Sequence, residues 1–311
     1  MSRYSTISIF ISILMLCSCQ RDRYVVINGY AQGGTYTVKA NLKGTRVSRK
    51  GMAAEIERLL VGIDTTLSGY NKSSQLSRFN RGEDFEPGPM FRELLDISEK
   101  YRETTDGAFD VWAAPLFDIW GFGFRTDSLP DNERIKEAMA LTREHKRLNF
   151  NAIAQGYSCD VIARYLHSIG VKDMLVDIGE IYCEGVNPKG RGWSIGIDTP
   201  FDGNNTPGAS LSGIWESDGG AHGVVTSGNY RKFYIKDGKK YAHTIDPRTG
   251  RPVDHDLLSA TVVAPTATEA DALATYFMVA GFEEARKYIE AHPGIEACLI
   301  CSDSTWCSRN F

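Results

Sequence analysis

The sequence predicts an α+β fold with mixed or antiparallel sheets and helices packed against them. Strand-like and helix-like segments follow one another without regular βα alternation, which disfavours a doubly wound parallel sheet. A turn signal at Lys236-Asp-Gly238 between two strand-like runs predicts a β-hairpin and therefore antiparallel pairing. The 311 residues, 42% of them hydrophobic, suffice to bury a sizeable core in one large domain or two small ones.

Helices are predicted where apolar residues recur every three or four positions. The predicted helices span residues 53–67, 89–104, 131–141, 153–169, 268–279 and 283–291. Runs rich in β-branched and aromatic residues predict strands at 24–30, 35–42, 173–178, 193–197, 222–226, 232–236, 240–245, 257–264 and 295–301. Residues 68–80 and 105–125 are predicted to be irregular, and the Gly-, Asn- and Pro-rich stretch 199–218 to be a surface loop.

The N-terminus has the pattern of a lipoprotein signal peptide. Ile7 to Leu16 is an apolar run too short to span a bilayer, and it ends in Leu16-Cys17-Ser18-Cys19. A small residue before a cysteine resembles a bacterial lipobox, so residues 1–18 are predicted to be cleaved and Cys19 to be lipidated. Cys17 is the weaker alternative because Leu16 precedes it, and an uncleaved apolar anchor is the other. We therefore expect residues 19–311 to form a domain tethered at a membrane surface.

Charge and cysteine content exclude two classes of function. The net charge is −4 with no basic tract, so nucleic acid is not an expected partner. Five cysteines follow Cys19, at positions 159, 183, 298, 301 and 307. No His-x-His or second cysteine pair completes a zinc set. The sequence favours buried thiols, or one local disulfide to Cys307 in an oxidising compartment.

Two segments in the last third of the chain carry side chains suited to phosphate chemistry. Asp271 and Thr275 are four residues apart in a predicted helix, so their oxygens point to one face. Such oxygens are the ligands of a hard cation. His243 precedes a Pro/Gly turn and titrates near neutral pH, as a proton carrier should. An ordinary amphipathic helix and a polar turn are the alternatives for each segment taken alone.

Six ordered motifs together resemble a known family. They are Gly34-Thr35-Tyr36, Thr105-Asp-Gly-Ala-Phe-Asp110, Asn149 to Asp160, Thr226-Ser-Gly-Asn-Tyr230, His243 to Pro252 and Ala270 to Thr275. This set resembles the ApbE family of FAD:protein FMN transferases from about Gly33 to Ala280. The resemblance implies a T-fold-like α+β architecture. It also implies Mg²⁺-dependent transfer of FMN from FAD to a Thr or Ser hydroxyl of a partner protein, with release of AMP.

The resemblance assigns roles residue by residue. The metal ligands it implies are Asp271, Thr275 and the backbone carbonyl of Ala154. His243 matches the catalytic histidine, either as the base for the attacking hydroxyl or as a hydrogen-bond donor to the phosphates. Trp120 is expected to stack on FAD, with core packing as the alternative. The FAD-binding residues implied are Tyr70, Trp120, Asp160, Glu180, Thr226, Ser227 and Gly228.

The chain departs from the family pattern at two positions. Gln155 stands where the family usually has a lysine, and Gly179 is the single glycine before Glu180 where the family usually has two. Loss of the positive charge would weaken phosphate binding, and the missing residue would shift Glu180. Both departures therefore bear on flavin affinity.

Two other activities remain open at this point. The same site would hydrolyse FAD to FMN and AMP if water were the nucleophile, and a non-catalytic FAD-binding lipoprotein is a third hypothesis. A redox enzyme is disfavoured because no Gly-x-Gly-x-x-Gly follows a strand. By resemblance, the chain belongs in the bacterial envelope facing the periplasm. Its expected acceptor is a flavoprotein subunit of a membrane redox complex, of the NADH:quinone reductase or Rnf type.

Overall fold

The computed structural model describes residues 23–122, 129–204, 206–230, 233–236 and 238–311. The predicted signal peptide 1–18, the predicted lipidation site Cys19 and its alternative Cys17 lie outside the described residues. Among the helices of the described residues, none is both long enough and apolar enough to cross a membrane.

Fourteen strands and eight α-helices are assigned within these ranges. The strands are β1 (Tyr24–Ala31), β2 (Gly34–Asn41), β3 (Met174–Asp177), β4 (Ile181–Glu184), β5 (Ser194–Asp198), β6 (Leu211–Glu216), β7 (His222–Gly228), β8 (Phe233–Lys236), β9 (Lys239–Ala242), β10 (Ile245–Asp246), β11 (Arg251–Pro252), β12 (Leu257–Ala264), β13 (Glu296–Cys301) and β14 (Thr305–Cys307). The helices are α1 (Arg49–Leu67), α2 (Gln75–Asn80), α3 (Pro89–Thr104), α4 (Ala114–Ile119), α5 (Asn132–Arg143), α6 (Ala154–Ser168), α7 (Ala267–Ala280) and α8 (Phe282–Ala291), with a 3-10 turn at Val111–Ala113.

An eight-stranded antiparallel sheet organises the molecule, in the order β1-β2-β3-β4-β7-β12-β13-β14. Three two-stranded ribbons, β5–β6, β8–β9 and β10–β11, are attached to it. The predicted α+β class with antiparallel sheets is confirmed. The mostly apolar sequence of β12 fits its inner place in the sheet, because this strand is buried along nearly its whole length.

Helix α7 packs at the centre of the fold, against α6, β7 and β12. Thr266 caps its N-terminus by accepting a hydrogen bond from Glu269 N–H. Two glycines let its first turn approach closely. A Cβ on Gly156 of α6 would lie 2.2 Å from Ala267 O, and one on Gly223 of β7 would lie 2.3 Å from Ala267 Cα. The sequence thus brings α7 into backbone contact with both a helix and a strand.

Most predicted elements are present, and three irregular stretches hold more structure than the sequence predicts. The prediction that 199–218 is a continuous loop is wrong, since this stretch contains β6, which pairs with β5. Trp215 anchors this ribbon by packing in a small core with Trp193 and Ile195. Helix α2 occupies part of the stretch 68–80, and the 3-10 turn and α4 lie within 105–125. Short elements such as these lack the periodicity that marks longer ones.

The cysteines after residue 19 form one local disulfide, and the others are buried thiols. Cys298 and Cys307 form a disulfide between the paired strands β13 and β14. Cys159, Cys183 and Cys301 are free and buried. The local disulfide to Cys307 is therefore confirmed, and it joins neighbouring strands at the end of the sheet.

Candidate active site

A cleft of about 580 Å³ opens between the β1–β2 turn, the C-terminal half of α1 and the start of α6. Its lining mixes aromatic, apolar and polar side chains, as a site for a flat, polar ligand should. The lining residues are Tyr30, Gln32, Gly33, Ile63, Asp64, Leu67, Ser68, Tyr70, Asn151, Ala154 and Gln155. The side-chain amide of Gln32 donates to Ser158 Oγ, which fixes the β1–β2 turn against α6. Sequence reasoning did not single out Gln32.

Asp271 lies where α6 and α7 meet, beside this cleft. Its side chain is 5% exposed, and Gly156 N–H donates to its Oδ2 at 2.9 Å. Gly156 is two residues after Ala154, which itself lines the cleft. Burial, with a smaller contribution from the nearby Asp160 carboxylate, raises the pKa of Asp271 to about 7, although the hydrogen bond from Gly156 N–H acts in the opposite direction. A cation bound beside it would stabilise the ionised carboxylate.

Thr275 lies one helical turn after Asp271, and its Oγ1 is 3.4 Å from the carbonyl oxygen of Ala152. The carbonyl of Ala154, which the resemblance implied as a ligand, already accepts a hydrogen bond from Ser158 Oγ at 2.6 Å. The Ala152 carbonyl thus lies beside Thr275, two residues before the Ala154 carbonyl that the resemblance implies as a ligand, and Ala154 is the one of the two residues that lines the cleft. A backbone carbonyl carries no side-chain signature, so the sequence alone does not distinguish two positions so close together.

The donor set at this junction suits a hard cation. One carboxylate, one hydroxyl and one carbonyl are all oxygen donors, and so few protein ligands leave positions for substrate phosphates and water, as Mg²⁺ requires. Among the described residues, no group of three or more His, Cys, Asp or Glu side chains is placed to hold a metal. A soft-metal site of the zinc type is therefore not formed within that part of the chain.

The end of β7 and the segment that follows His243 are joined by a hydrogen bond. Thr244 Oγ1 donates to Asn229 Oδ1 at 2.5 Å, which ties the residue after His243 to the residue after β7. Thr226 Oγ1 lies 2.9 Å from Thr261 Oγ1 of β12, and Ser227 and Gly228 complete β7. Strand β7 and strand β10, which begins two residues after His243, both contact α7, the helix that carries Asp271.

Comparison with known proteins gives the family. A profile of the ApbE family matches residues 33–299. The chain belongs to the ApbE family.

Relatives of this ApbE-family chain match over most of its length. The FAD:protein FMN transferase of Vibrio cholerae is 34% identical over 90% of this chain and 89% of its own length. That of Escherichia coli K12 is 33% identical over 92% of this chain and 88% of its own length. Solved structures agree: the flavin transferase ApbE from Vibrio cholerae superposes with a TM-score of 0.82 at 32% identity, covering 94% of this chain and 99% of that one. The apo form of the Pseudomonas stutzeri flavinyl transferase ApbE gives a TM-score of 0.81 at 33% identity, covering 93% and 96%.

Three residues that the ApbE resemblance places at FAD have other contacts in the described structure. Trp120 is buried, its indole N–H donates to Gly250 O at 2.8 Å, and its ring stacks on Tyr241. These are the contacts of its core-packing alternative. Asp160 is also buried, and its carboxylate accepts hydrogen bonds from the backbone N–H groups of Ala267 and Thr268. It therefore anchors the N-terminus of α7. Glu180 lies in the turn between β3 and β4.

Tyr70 has the exposure expected of a ligand-binding aromatic residue. It lines the cleft and is 70% exposed. We expect Tyr70→Ala to raise the Kd for FAD about tenfold and Tyr70→Phe to leave it nearly unchanged, because stacking needs the ring and not the hydroxyl. Titration of flavin fluorescence measures both. Val61→Ala, on an exposed face of α1 outside the lining, is the control, and equal affinity in Tyr70→Ala and Val61→Ala contradicts the assignment.

Proposed function

We propose that this chain transfers the FMN half of FAD to a Thr or Ser hydroxyl of an acceptor flavoprotein and releases AMP. The observation that carries the proposal is the oxygen donor set of Asp271, Thr275 and Ala154 at a cleft of about 580 Å³ that Ala154 lines. The relatives named FAD:protein FMN transferase, which match about nine-tenths of the chain, support the same reaction.

Mg²⁺ is the cation that this donor set fits. Asp271, Thr275 and the Ala154 carbonyl would hold it, and the Gly156 N–H would keep the Asp271 carboxylate oriented. When bound, Mg²⁺ supplies charge neutralisation to the pyrophosphate oxygens as negative charge develops on them.

The transfer itself asks little covalent chemistry of the protein. FAD lies in the cleft with its flavin against Tyr70 and its pyrophosphate towards the 226–228 segment, where hydroxyls and close backbone are available. His243 accepts the proton of the acceptor hydroxyl as the hydroxyl oxygen bonds to the FMN phosphorus. The bond from that phosphorus to the bridging oxygen breaks, and the electron pair leaves with AMP.

The cellular location of the chain and the identity of its acceptor protein are also part of the proposal. The apolar run Ile7 to Leu16 and the segment ending at Cys19 support a lipid-anchored protein of the bacterial envelope that faces the periplasm. A membrane-tethered transferase suits an acceptor at the same membrane. We take that acceptor to be a flavoprotein subunit of a redox complex of the NADH:quinone reductase or Rnf type.

His243→Asn tests the base assignment. Because the amide cannot accept the proton, we expect the rate of FMN transfer to fall about 10²-fold while the Kd for FAD changes little. His167→Asn removes a surface imidazole that pairs with Glu184, and it should leave the rate unchanged. Single-turnover transfer followed by AMP release gives the rate. An unaltered rate in His243→Asn would remove this histidine from the mechanism.

An acceptor-free reaction separates the two other activities. If water is the nucleophile, FMN and AMP accumulate together without any acceptor protein. If the chain only binds FAD, neither product appears although the flavin stays bound. The transferase predicts AMP in amounts that follow the acceptor.

A further inference from the structure

Two side chains of α6 hold the turn between β3 and β4. Gln155 Nε2 donates to the carbonyl oxygen of Ile178 at 3.1 Å, and Cys159 Sγ donates to that of Glu180 at 3.0 Å. Gln155 and Cys159 are four residues apart, so they lie on one face of the helix, one turn apart. Helix α6 therefore hydrogen-bonds to both ends of the three-residue turn Ile178 to Glu180.

The turn is built to receive these contacts. Asp177 Oδ1 accepts from Gly179 N–H at 3.1 Å, and Ile178 N–H donates to Glu180 O at 2.9 Å. Gly179 has φ +93°, and a Cβ there would lie 2.5 Å from Gln155 Nε2. Any other residue at 179 would be strained and would also push Gln155 away. The two positions at which this chain departs from the ApbE pattern are thus in contact with each other.

Burial strengthens the second hydrogen bond. Cys159 is fully buried, and burial raises the pKa of its thiol well above the ordinary value, so the sulfur keeps the proton that it donates. Ile178 is also buried, at 2% exposure. Loss of either donor would leave a carbonyl of the turn without that partner.

We infer that Gln155 and Cys159 fix the turn Ile178 to Glu180 through their two hydrogen bonds, together called the latch, and so set the FAD-binding end of the cleft. Gln155 connects the turn to the cleft, because it lines the cleft next to Ala154 and its amide donates a hydrogen bond to the turn. It is a positioning residue and not a catalytic one. The part of this inference that concerns FAD rests on the proposed function.

Gln155→Met keeps the length of the side chain and removes the donor. We expect the Kd and the KM for FAD to rise about three- to tenfold with kcat changed less than about twofold, because one hydrogen bond that positions the ligand site is lost. Amide hydrogen exchange of Ile178 and Gly179 should become faster in the absence of FAD. Cys159→Ala should do the same, and Cys159→Ser, which keeps a donor, should restore values near wild type.

Gln75→Met is the matched control. Gln75 Oε1 accepts from Gly88 N–H at 2.8 Å, so this variant also loses one hydrogen bond between a glutamine amide and the backbone, but at another loop. It should leave FAD affinity and the exchange of Gly179 unchanged. Unchanged exchange at Gly179 in Gln155→Met overturns the latch, and faster exchange with unchanged FAD affinity overturns its link to the cleft. Hydrogen exchange is measured without FAD or acceptor, so it tests the latch independently of activity. A wild-type chain that transfers no FMN would refute the proposed function and would leave the result of that test unchanged.

Discussion

Replacing Asp271 by Asn should reduce Mg²⁺-dependent FMN transfer about 10³-fold, the largest loss expected from any single side chain. The amide still has an oxygen for the Gly156 N–H, so the α6–α7 junction keeps its geometry. What is lost is the negative charge that a divalent cation needs in a buried position. The Mg²⁺ concentration for half-maximal activity should rise as well, and steady-state AMP release across a Mg²⁺ titration measures both.

The control for this change is Asp218→Asn. Asp218 is a surface carboxylate, 79% exposed, that pairs with His222 outside the cleft. It should leave both rate and Mg²⁺ dependence unchanged. Full Mg²⁺-dependent activity in Asp271→Asn would refute the metal assignment, and with it the place given to Thr275 and Ala154.

Gly156→Ala should cost about 3 kcal/mol of folding stability and abolish transfer. The added Cβ would lie 2.2 Å from Ala267 O and 2.8 Å from Asp271 Cβ, so a backbone carbonyl has to move. That movement separates α6 from α7 and breaks the hydrogen bond that orients Asp271. Thermal unfolding should show a fall in Tm of roughly 5–10 °C, and the protein that remains folded should show no Mg²⁺-dependent activity.

Gly62→Ala provides the comparison. Gly62 lies inside α1, and a Cβ there has no atom within 4 Å. Alanine should therefore stabilise the protein by about 0.5–1 kcal/mol through helix propensity. If Gly156→Ala unfolded no earlier than Gly62→Ala, the close contact between α6 and α7 would not exist as described.

Long elements with a clear period were predictable from the sequence. Helix α3 and strand β12 have the predicted bounds, 89–104 and 257–264, because Pro89 fixes the helix start and β12 is mostly apolar. Strand β6 was not predictable. Its apolar residues Leu211, Ile214 and Trp215 do not alternate with polar ones, only Trp215 is buried, and the strand lies inside a Gly- and Asn-rich stretch.

The residues of the candidate site also divide into those that the sequence predicts and those that only the structure shows. Asp271 and Thr275 were accessible to sequence reasoning because a helical spacing of four places both on one face. The hydrogen bond from Thr275 to the Ala152 carbonyl was not, since any residue has a carbonyl and only the packed structure brings these two groups together. Gln155 and Gly179 stand out singly as departures from the family pattern. Their contact joins α6 to a turn 23 residues further along the chain, which only the packed structure shows.

The central claim is transfer, and one reaction tests it most directly. The protein after Cys19 is mixed with FAD, Mg²⁺ and a candidate flavoprotein acceptor, and AMP, free FMN and flavin covalently bound to the acceptor are measured together. We expect a fluorescent acceptor on a denaturing gel, AMP in equal amount, and loss of both when the metal is chelated. AMP and FMN formed at the same rate with and without acceptor, or bound FAD with no AMP at all, would contradict the account.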